Sequence, residues 1–129
     1  MIPAGESAIL IIDDESAVRE ILEDVLAHEG FAVYSACDGA QALEILAKCK
    51  LPSLILLDVM MPVMDGMQFL KELRANEELR RIPVLVTSAT SQKPQAAEGF
   101  LPKPIALATL IEAVHRYADP DRLAGVSRA

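Results

Sequence analysis

The 129-residue sequence predicts a doubly wound α/β fold, with a five-stranded parallel sheet in the order 2-1-3-4-5 and helices on both faces. Two observations predict it. Short runs that are apolar at every position alternate along the chain with segments that carry apolar residues at helical spacing. A strand without polar positions needs cover on both faces, which a parallel sheet between two helix layers provides. The order 2-1-3-4-5 is one of the common orders for a doubly wound sheet of this size.

The first half of the chain has clear signals for strands and helices. Ala8–Ile12 is the first apolar run, and Gly30 can close the helical pattern that follows it. Residues 31–36 are a short strand candidate. Asp38 has the character of an N-cap, and Gln41 three residues later completes a capping box, so a second helix is expected to begin there.

The second half continues the alternation with three strands and two helices. The predicted elements are a strand over residues 54–57, a helix marked by Met67, Leu70 and Leu73, a strand over residues 84–87, a short strand at residues 100–101, and a helix marked by Leu107, Leu110, Ile111 and Val114. Asp119-Pro120 is expected to end the last helix. The chain is thereby divided into an N-terminal lead (residues 1–7), one domain (residues 8–118) and a C-terminal tail (residues 119–129).

The crossover into the last strand is unusually short. Eleven residues separate Ser88 from Phe100, whereas a parallel crossover with its helix needs at least ~10–12 residues. Pro94 can open a helix and Gly99 can close it. We therefore expect a shortened fourth helix of one or two turns over residues 94–98, after a loop over residues 89–93.

Composition and charge narrow the function classes. Apolar residues make up 52% and charged residues 24% of the sequence, a balance that excludes a disordered chain. The net charge of −7 disfavours direct binding to nucleic acid, whose backbone is also negative. The apolar runs are far shorter than the ~18 residues of a membrane span, and the first residues lack a signal-peptide pattern, so a cytoplasmic location is expected. Cys37 and Cys49 match no zinc or redox spacing and are expected to be reduced.

Polar residues interrupt the apolar pattern at the ends of the predicted strands. Asp13 and Asp14 follow strand 1, Asp58 ends strand 3, Thr87 ends strand 4, and Lys103 follows strand 5. The carboxyl ends of parallel strands share one edge, and strands 1 and 3 are neighbours in the predicted order, so the three carboxylates are expected to converge. Each residue alone has an ordinary explanation, such as a place in a first helical turn for the paired aspartates. The joint pattern indicates a site.

The residue types at this edge favour phosphoryl transfer. Three close carboxylates repel one another unless a cation lies among them. Mg²⁺ suits a site with few carboxylates, because it keeps waters and accepts phosphate oxygens. A carboxylate is also a nucleophile toward phosphorus. Lys103 and Thr87 would supply a positive charge and a hydroxyl donor to the phosphoryl group.

Four segments resemble the receiver domains of bacterial two-component systems, and the resemblance covers roughly residues 8–118. The segments read IIDDE from Ile11, LLDVMMPVMDG from Leu56, VTSA from Val86 and FLPKP from Phe100. The resemblance implies that Asp58 is the phosphoacceptor. It also implies that Asp14, Asp58 and the backbone carbonyl of Met60 bind Mg²⁺ directly, and that Asp13 acts through a metal-bound water.

The resemblance also implies a switch. Thr87 and Lys103 would hold the phosphoryl group, and Phe100 would be an aromatic switch residue that follows the threonine inward. The Lys103-Pro104 bond is commonly cis in the family, in keeping with the low cost of a cis bond before proline. The phosphoryl donor would be a histidine kinase, a phosphotransfer protein or a small-molecule phosphodonor, and the output would pass to a downstream protein partner.

Three other functions compete with this interpretation. A phosphatase or mutase that uses an aspartyl phosphate commonly has an acid Asp two residues after the nucleophile, where this chain has Met60. A flavodoxin-like cofactor binder needs a phosphate-cradling loop after strand 1, where this chain has Asp13-Asp14-Glu15. The third is a pseudo-receiver, an interaction domain that is never phosphorylated. Met60 at that position argues against the enzyme, and the intact set of site residues argues against the pseudo-receiver, so a signalling phosphoacceptor is favoured.

Overall fold

A computed structural model describes residues 8–49, 51–58, 66–88 and 97–118 of the chain. The elements in chain order are β1 (Ala8–Ile12), α1 (Ser16–His28), β2 (Ala32–Ala36), α2 (Gly39–Lys48), β3 (Leu54–Asp58), α3 (Gly66–Ala75), β4 (Val84–Ser88), β5 (Gly99–Pro102) and α4 (Leu107–Ala118). All strand pairs are parallel. The sheet order is β2-β1-β3-β4-β5, so the predicted topology is confirmed.

The core is divided by the sheet into two layers. Every residue of β1, β3 and β4 is buried, and alternate residues of β1 point to opposite faces because a strand has a period of two. Leu10 and Ile12 belong to a cluster that includes the apolar faces of α2 and α3. Ile9 and Ile11 belong to a second cluster that includes the apolar faces of α1 and α4. The helices therefore cover both faces, as the uninterrupted apolar runs predict.

The predicted ends of two helices are confirmed. The Asp38 carboxylate accepts a hydrogen bond from the Gln41 backbone N–H at 2.8 Å and caps α2. The Gln41 side chain reaches back at 2.7 Å to the N–H of Cys37, one residue before the N-cap. Gly30 has a φ of 95°, a backbone conformation that glycine tolerates and other residues rarely adopt, and it ends α1.

Some predicted boundaries differ from the structure. The last strand is longer than residues 100–101, because Gly99 pairs with Leu85 and Pro102 pairs with Ser88. Most of the predicted short helix over residues 94–98, and the predicted loop over residues 89–93, lie outside the described residues. Ala97 and Glu98 are described and are not helical. The predicted lead and tail also lie outside them.

The described residues bear on two further expectations, which concern the cysteines and membrane spans. Cys37 and Cys49 are both free thiols, as the absence of a redox spacing predicts. None of the helices within the described parts of the chain is long and apolar enough to cross a bilayer.

Candidate functional site

The predicted site residues lie together at the carboxyl edge of the sheet. Asp13 follows β1, Asp58 ends β3, Thr87 lies in β4, and Lys103 follows β5. The strand alternation places all four on the side of the sheet that α1 and α4 cover. Each lies two residues after a residue of the core cluster under α1 and α4, and these preceding residues are Ile11, Leu56, Leu85 and Leu101. Side chains at the ends of four different strands, all on the same side of the sheet, therefore lie close together.

Three carboxylates form the acidic part of the site. Asp13, Asp14 and Asp58 each offer an oxygen, and these oxygens lie within 4.8 Å of one another. Asp13 and Asp58 are only 2% and 4% exposed, whereas Asp14 is exposed. Because buried carboxylates at this separation repel, the cluster favours a cation among them. Oxygen-only donors at an edge open to solvent fit a hard divalent ion such as Mg²⁺.

Lys103 supplies the positive charge that faces these carboxylates. Its Nζ lies 3.2 Å from Asp13 Oδ2 and 3.4 Å from Asp58 Oδ2. Partial burial by itself lowers the pKa of the ammonium group. The carboxylates of Asp13 and Asp58 outweigh that effect and raise the pKa of Lys103 above its ordinary value of 10.5. The lysine is therefore a permanent cation in the site at neutral pH.

Thr87 completes the group of four. It is the register partner of Asp58 on the neighbouring strand and is 3% exposed. Register partners in a parallel pair present their side chains to the same face, so a hydroxyl lies beside the Asp58 carboxylate. A carboxylate, an ammonium group and a hydroxyl therefore share one small region.

Comparison with known proteins agrees with this geometry. Residues 9–115 match the family model described as the response regulator receiver domain. The chain belongs to the response-regulator receiver family. A receiver domain is the phosphoacceptor module of two-component signalling, and that is the role of this chain.

Individual relatives support the family assignment. Response regulator MprA of Mycolicibacterium vanbaalenii is 37% identical over 131 residues, which cover 94% of this chain and 55% of the relative. The receiver domain therefore spans about half the length of the curated relatives it matches. Chemotaxis response regulator CheY4 of Vibrio cholerae is 30% identical with a TM-score of 0.80, over 87% of this chain and 98% of that one.

A third relative bears on the metal. The receiver domain of sensor histidine kinase PA1611 from Pseudomonas aeruginosa is 28% identical, with a TM-score of 0.79, and the match covers 87% of this chain and 97% of that one. Its structure has a magnesium ion coordinated in the active site cleft. In this receiver domain, the acidic cluster of Asp13, Asp14 and Asp58 offers carboxylate oxygens that could hold an ion.

Asp13 is held in place by contacts that the sequence pattern did not show. Its carboxylate accepts the N–H of Glu15 at 2.9 Å, and its own N–H donates to the carbonyl of Ala36 at 3.1 Å. The guanidinium of Arg19, on α1, donates to the Asp13 carbonyl at 2.6 Å. Asp13 and Asp14 do not cap α1, because its N-cap is Glu15. The first turn of α1 contains no acidic residue, so the two aspartates precede the helix and do not form part of it.

The remaining predicted residues have separate outcomes. Phe100 lies in β5 and packs against the cluster under α2 and α3, on the opposite face from Lys103. The Lys103-Pro104 bond is cis, as the resemblance implies. Met60, predicted to offer a backbone carbonyl to the metal, lies outside the described residues.

The raised pKa of Lys103 gives a pH prediction for the metal-free receiver domain. A folded-state pKa above the unfolded one means that the ion pairs stabilise the fold fully below the unfolded value of 10.5. That contribution is lost as the pH rises through the higher folded value. We therefore expect the difference in unfolding free energy between wild type and Lys103→Met to shrink in strongly alkaline solution. Denaturant unfolding at a series of pH values, with chelator present, measures it; a difference that stays constant across this range contradicts the prediction.

Proposed function

We propose that this receiver domain accepts a phosphoryl group on Asp58 in a Mg²⁺-dependent reaction. The observation that carries the proposal is the convergence of the three carboxylates with Lys103 and Thr87 at one strand edge. Asp14, Asp58 and the carbonyl of Met60 would hold the ion, and Asp13 would contact it through a water. When bound, Mg²⁺ would neutralise charge on the phosphoryl oxygens.

The side chains of this chain account for the rest of the transfer. A carboxylate oxygen of Asp58 attacks phosphorus and forms an acyl phosphate, while the bond from phosphorus to the donor breaks and the donor leaves with its electron pair. Lys103 Nζ, now 3.4 Å from Asp58, would contact a phosphoryl oxygen in place of a carboxylate oxygen. The Thr87 hydroxyl would donate to another phosphoryl oxygen. Positioning and electrostatics supply most of the catalysis in such a transfer, so the domain assists its own phosphorylation and later hydrolysis.

The response to phosphorylation would be a shift between two conformations. The new charge on Asp58 attracts the Thr87 hydroxyl, and Phe100, on β5, would change its packing in response. Phe100 is half-buried and is the register partner of Val86, directly before Thr87. The phosphoryl charge on Asp58 would thus shift the conformational equilibrium of β5, whose Phe100 packs in the core layer on the opposite face of the sheet.

The proposed partners are a phosphoryl donor and a downstream protein. The donor would be a histidine kinase or a phosphotransfer protein, and a small-molecule phosphodonor could replace it in vitro. We propose a cytoplasmic location for these encounters and no direct contact with nucleic acid, in keeping with the net charge of −7.

The test is treatment with acetyl phosphate, with and without Mg²⁺, followed by intact mass spectrometry. We expect the mass of one phosphoryl group to be added only with Mg²⁺, and to be removed by hydroxylamine, which cleaves acyl phosphates. A chain that gains no phosphoryl group would instead be a pseudo-receiver. Addition that resists hydroxylamine would place the group elsewhere than on a carboxylate, and addition that is independent of Mg²⁺ would contradict the proposed metal dependence.

A further inference from the structure

The N-terminal end of β5 is held by a set of contacts outside the phosphoryl site. One oxygen of the Glu98 carboxylate, Oε1, accepts the backbone N–H of Val84 at 2.7 Å. The backbone N–H of Glu98 donates to the Val84 carbonyl at 2.9 Å. Both groups of Val84 that face β5 are therefore paired with the residue just before that strand. The Glu98 side chain takes the place that a backbone carbonyl of a longer parallel strand would occupy.

Arg74 holds the same carboxylate from α3. Its Nη2 lies 2.8 Å from Glu98 Oε1, and its Nη1 donates to the carbonyls of Arg80 and Ile82, each at 2.8 Å. The Arg74 side chain is 20% exposed. One guanidinium thus ties together the last turn of α3, the connection into β4 and the start of β5. A guanidinium presents several donors in a fixed plane, which suits it to this triple contact.

The register of β5 needs such a fixed point. The strand has four residues and lies at an edge of the sheet, paired with β4. Short edge strands with a single neighbour specify their register weakly unless other contacts do so. Gly99 is a second constraint, because a Cβ built there would meet Leu85 Cδ2 at 2.6 Å. A one-residue shift in register would place Glu98 or Phe100 at the position of Gly99, and the Cβ of either residue would come close to Leu85 Cδ2.

The register decides where Lys103 lies. A slip of one residue displaces the strand by about 3.3 Å and turns each side chain to the other face of the sheet. Lys103 would then leave the face of Asp13 and Asp58, and Phe100 would leave the opposite core layer. The Lys103 N–H, bonded to the Ser88 carbonyl at 2.9 Å, closes the far end of the strand.

We propose that Arg74 and Glu98 are positioning residues for Lys103, because they fix the register of β5 on β4 from the end of the strand opposite the lysine. The inference rests on the proposed function for its kinetic consequence. Neither residue touches the reacting atoms. They act on the reaction through the strand that carries the ammonium group to the site.

The experiment is a double-mutant cycle on the rate of phosphorylation by acetyl phosphate with Mg²⁺. Glu98→Ala is expected to slow the reaction about tenfold, less than the roughly hundredfold that misplacement by an ångström can cost. In a Lys103→Met background it should have no more than about a twofold effect, because the group it positions is gone. Glu98→Gln keeps an acceptor for the Val84 N–H and loses the ion pair with Arg74, so its rate should lie between the rates of wild type and Glu98→Ala.

Matched controls come from another Glu–Arg pair on the surface. Glu112 and Arg116 on α4 lie 3.3 Å apart and are 75% and 64% exposed. Glu112→Ala and Arg116→Ala change the charge as Glu98→Ala and Arg74→Ala do, and they should leave the rate unchanged. An equal slowing by Glu98→Ala in both lysine backgrounds would show general damage and overturn the inference. An unchanged rate in Glu98→Ala would overturn it as well.

Hydrogen exchange provides a readout that does not depend on phosphorylation. Glu98→Gln and Arg74→Ala should raise the exchange rate of the Lys103 amide, at the opposite end of β5, while the amides of β1 keep their protection. A Lys103 amide that stays protected in both variants contradicts the inference. If Glu98→Ala does not fold, or if the Lys103→Met chain reacts too slowly for the kinetic cycle, hydrogen exchange alone tests the inference. Failure of the wild-type chain to accept a phosphoryl group would instead count against the proposed function.

Discussion

Asp58→Asn is expected to abolish phosphorylation by acetyl phosphate. The substitution keeps the size and hydrogen-bonding shape of the side chain, but an amide oxygen does not form a stable acyl phosphate. Asp58 is 4% exposed and lies beside Lys103 and Thr87, the two groups that would hold the phosphoryl oxygens, so the transfer depends on this carboxylate. Intact mass spectrometry after reaction with Mg²⁺ should show the full phosphoryl addition in wild type and none in the variant.

The control for this prediction is a carboxylate elsewhere on the domain. Asp24 is exposed on α1, so Asp24→Asn removes the same charge without touching the site. It should be phosphorylated at the wild-type rate. A phosphoryl group on the Asp58→Asn chain that hydroxylamine removes would show that another carboxylate is the acceptor.

Phe69→Ala is expected to cause the largest loss of stability among single core substitutions. Phe69 is fully buried on α3, in the core layer under α2 and α3. Truncation of a buried phenylalanine costs about 3–5 kcal/mol, because transfer free energy is lost and a cavity is left. Since a domain of this size has a total stability of roughly 5–15 kcal/mol, a large share would be removed. Equilibrium unfolding in urea measures the change.

Met67 provides the comparison for that substitution. It lies on the same helix, two residues earlier, and is 52% exposed. Met67→Ala should change the unfolding free energy by less than about 1 kcal/mol, since substitutions at the surface have small effects. Similar losses for the two variants would contradict the assignment of Phe69 to the core.

Much of the fold could be predicted because its signals are local. β1 is apolar at every residue, and β3 and β4 are apolar up to their carboxyl ends, a pattern that requires helices on both faces. Because all the strands are parallel, their carboxyl ends share one edge of the sheet. The sheet order makes β1, β3, β4 and β5 consecutive neighbours, which brings Asp13, Asp58, Thr87 and Lys103 together. The start of α2 was predictable for a similar reason, since the Asp38 cap and its partner are three residues apart.

Other features depend on contacts between distant parts of the chain. Gly99 and Pro102 have little strand propensity, and they are in β5 because they pair with Leu85 and Ser88. Arg74 and Glu98 are separated by 24 residues and have no shared motif, so their ion pair emerges only from the fold. The bond from Arg19 to the Asp13 carbonyl depends on how α1 turns back over the strand end. Period and spacing do not encode these contacts.

We propose that Asp58 carries the phosphoryl group within a Mg²⁺ site built by the ends of β1, β3, β4 and β5. The most direct measurement is a crystal structure of the chain with Mg²⁺ and beryllofluoride, a mimic of the phosphoryl group. We expect beryllofluoride on the Asp58 carboxylate, facing Thr87 and Lys103, with the ion among Asp13, Asp14 and Asp58. Beryllofluoride on a different residue, or an ion bound away from the three carboxylates, would contradict it.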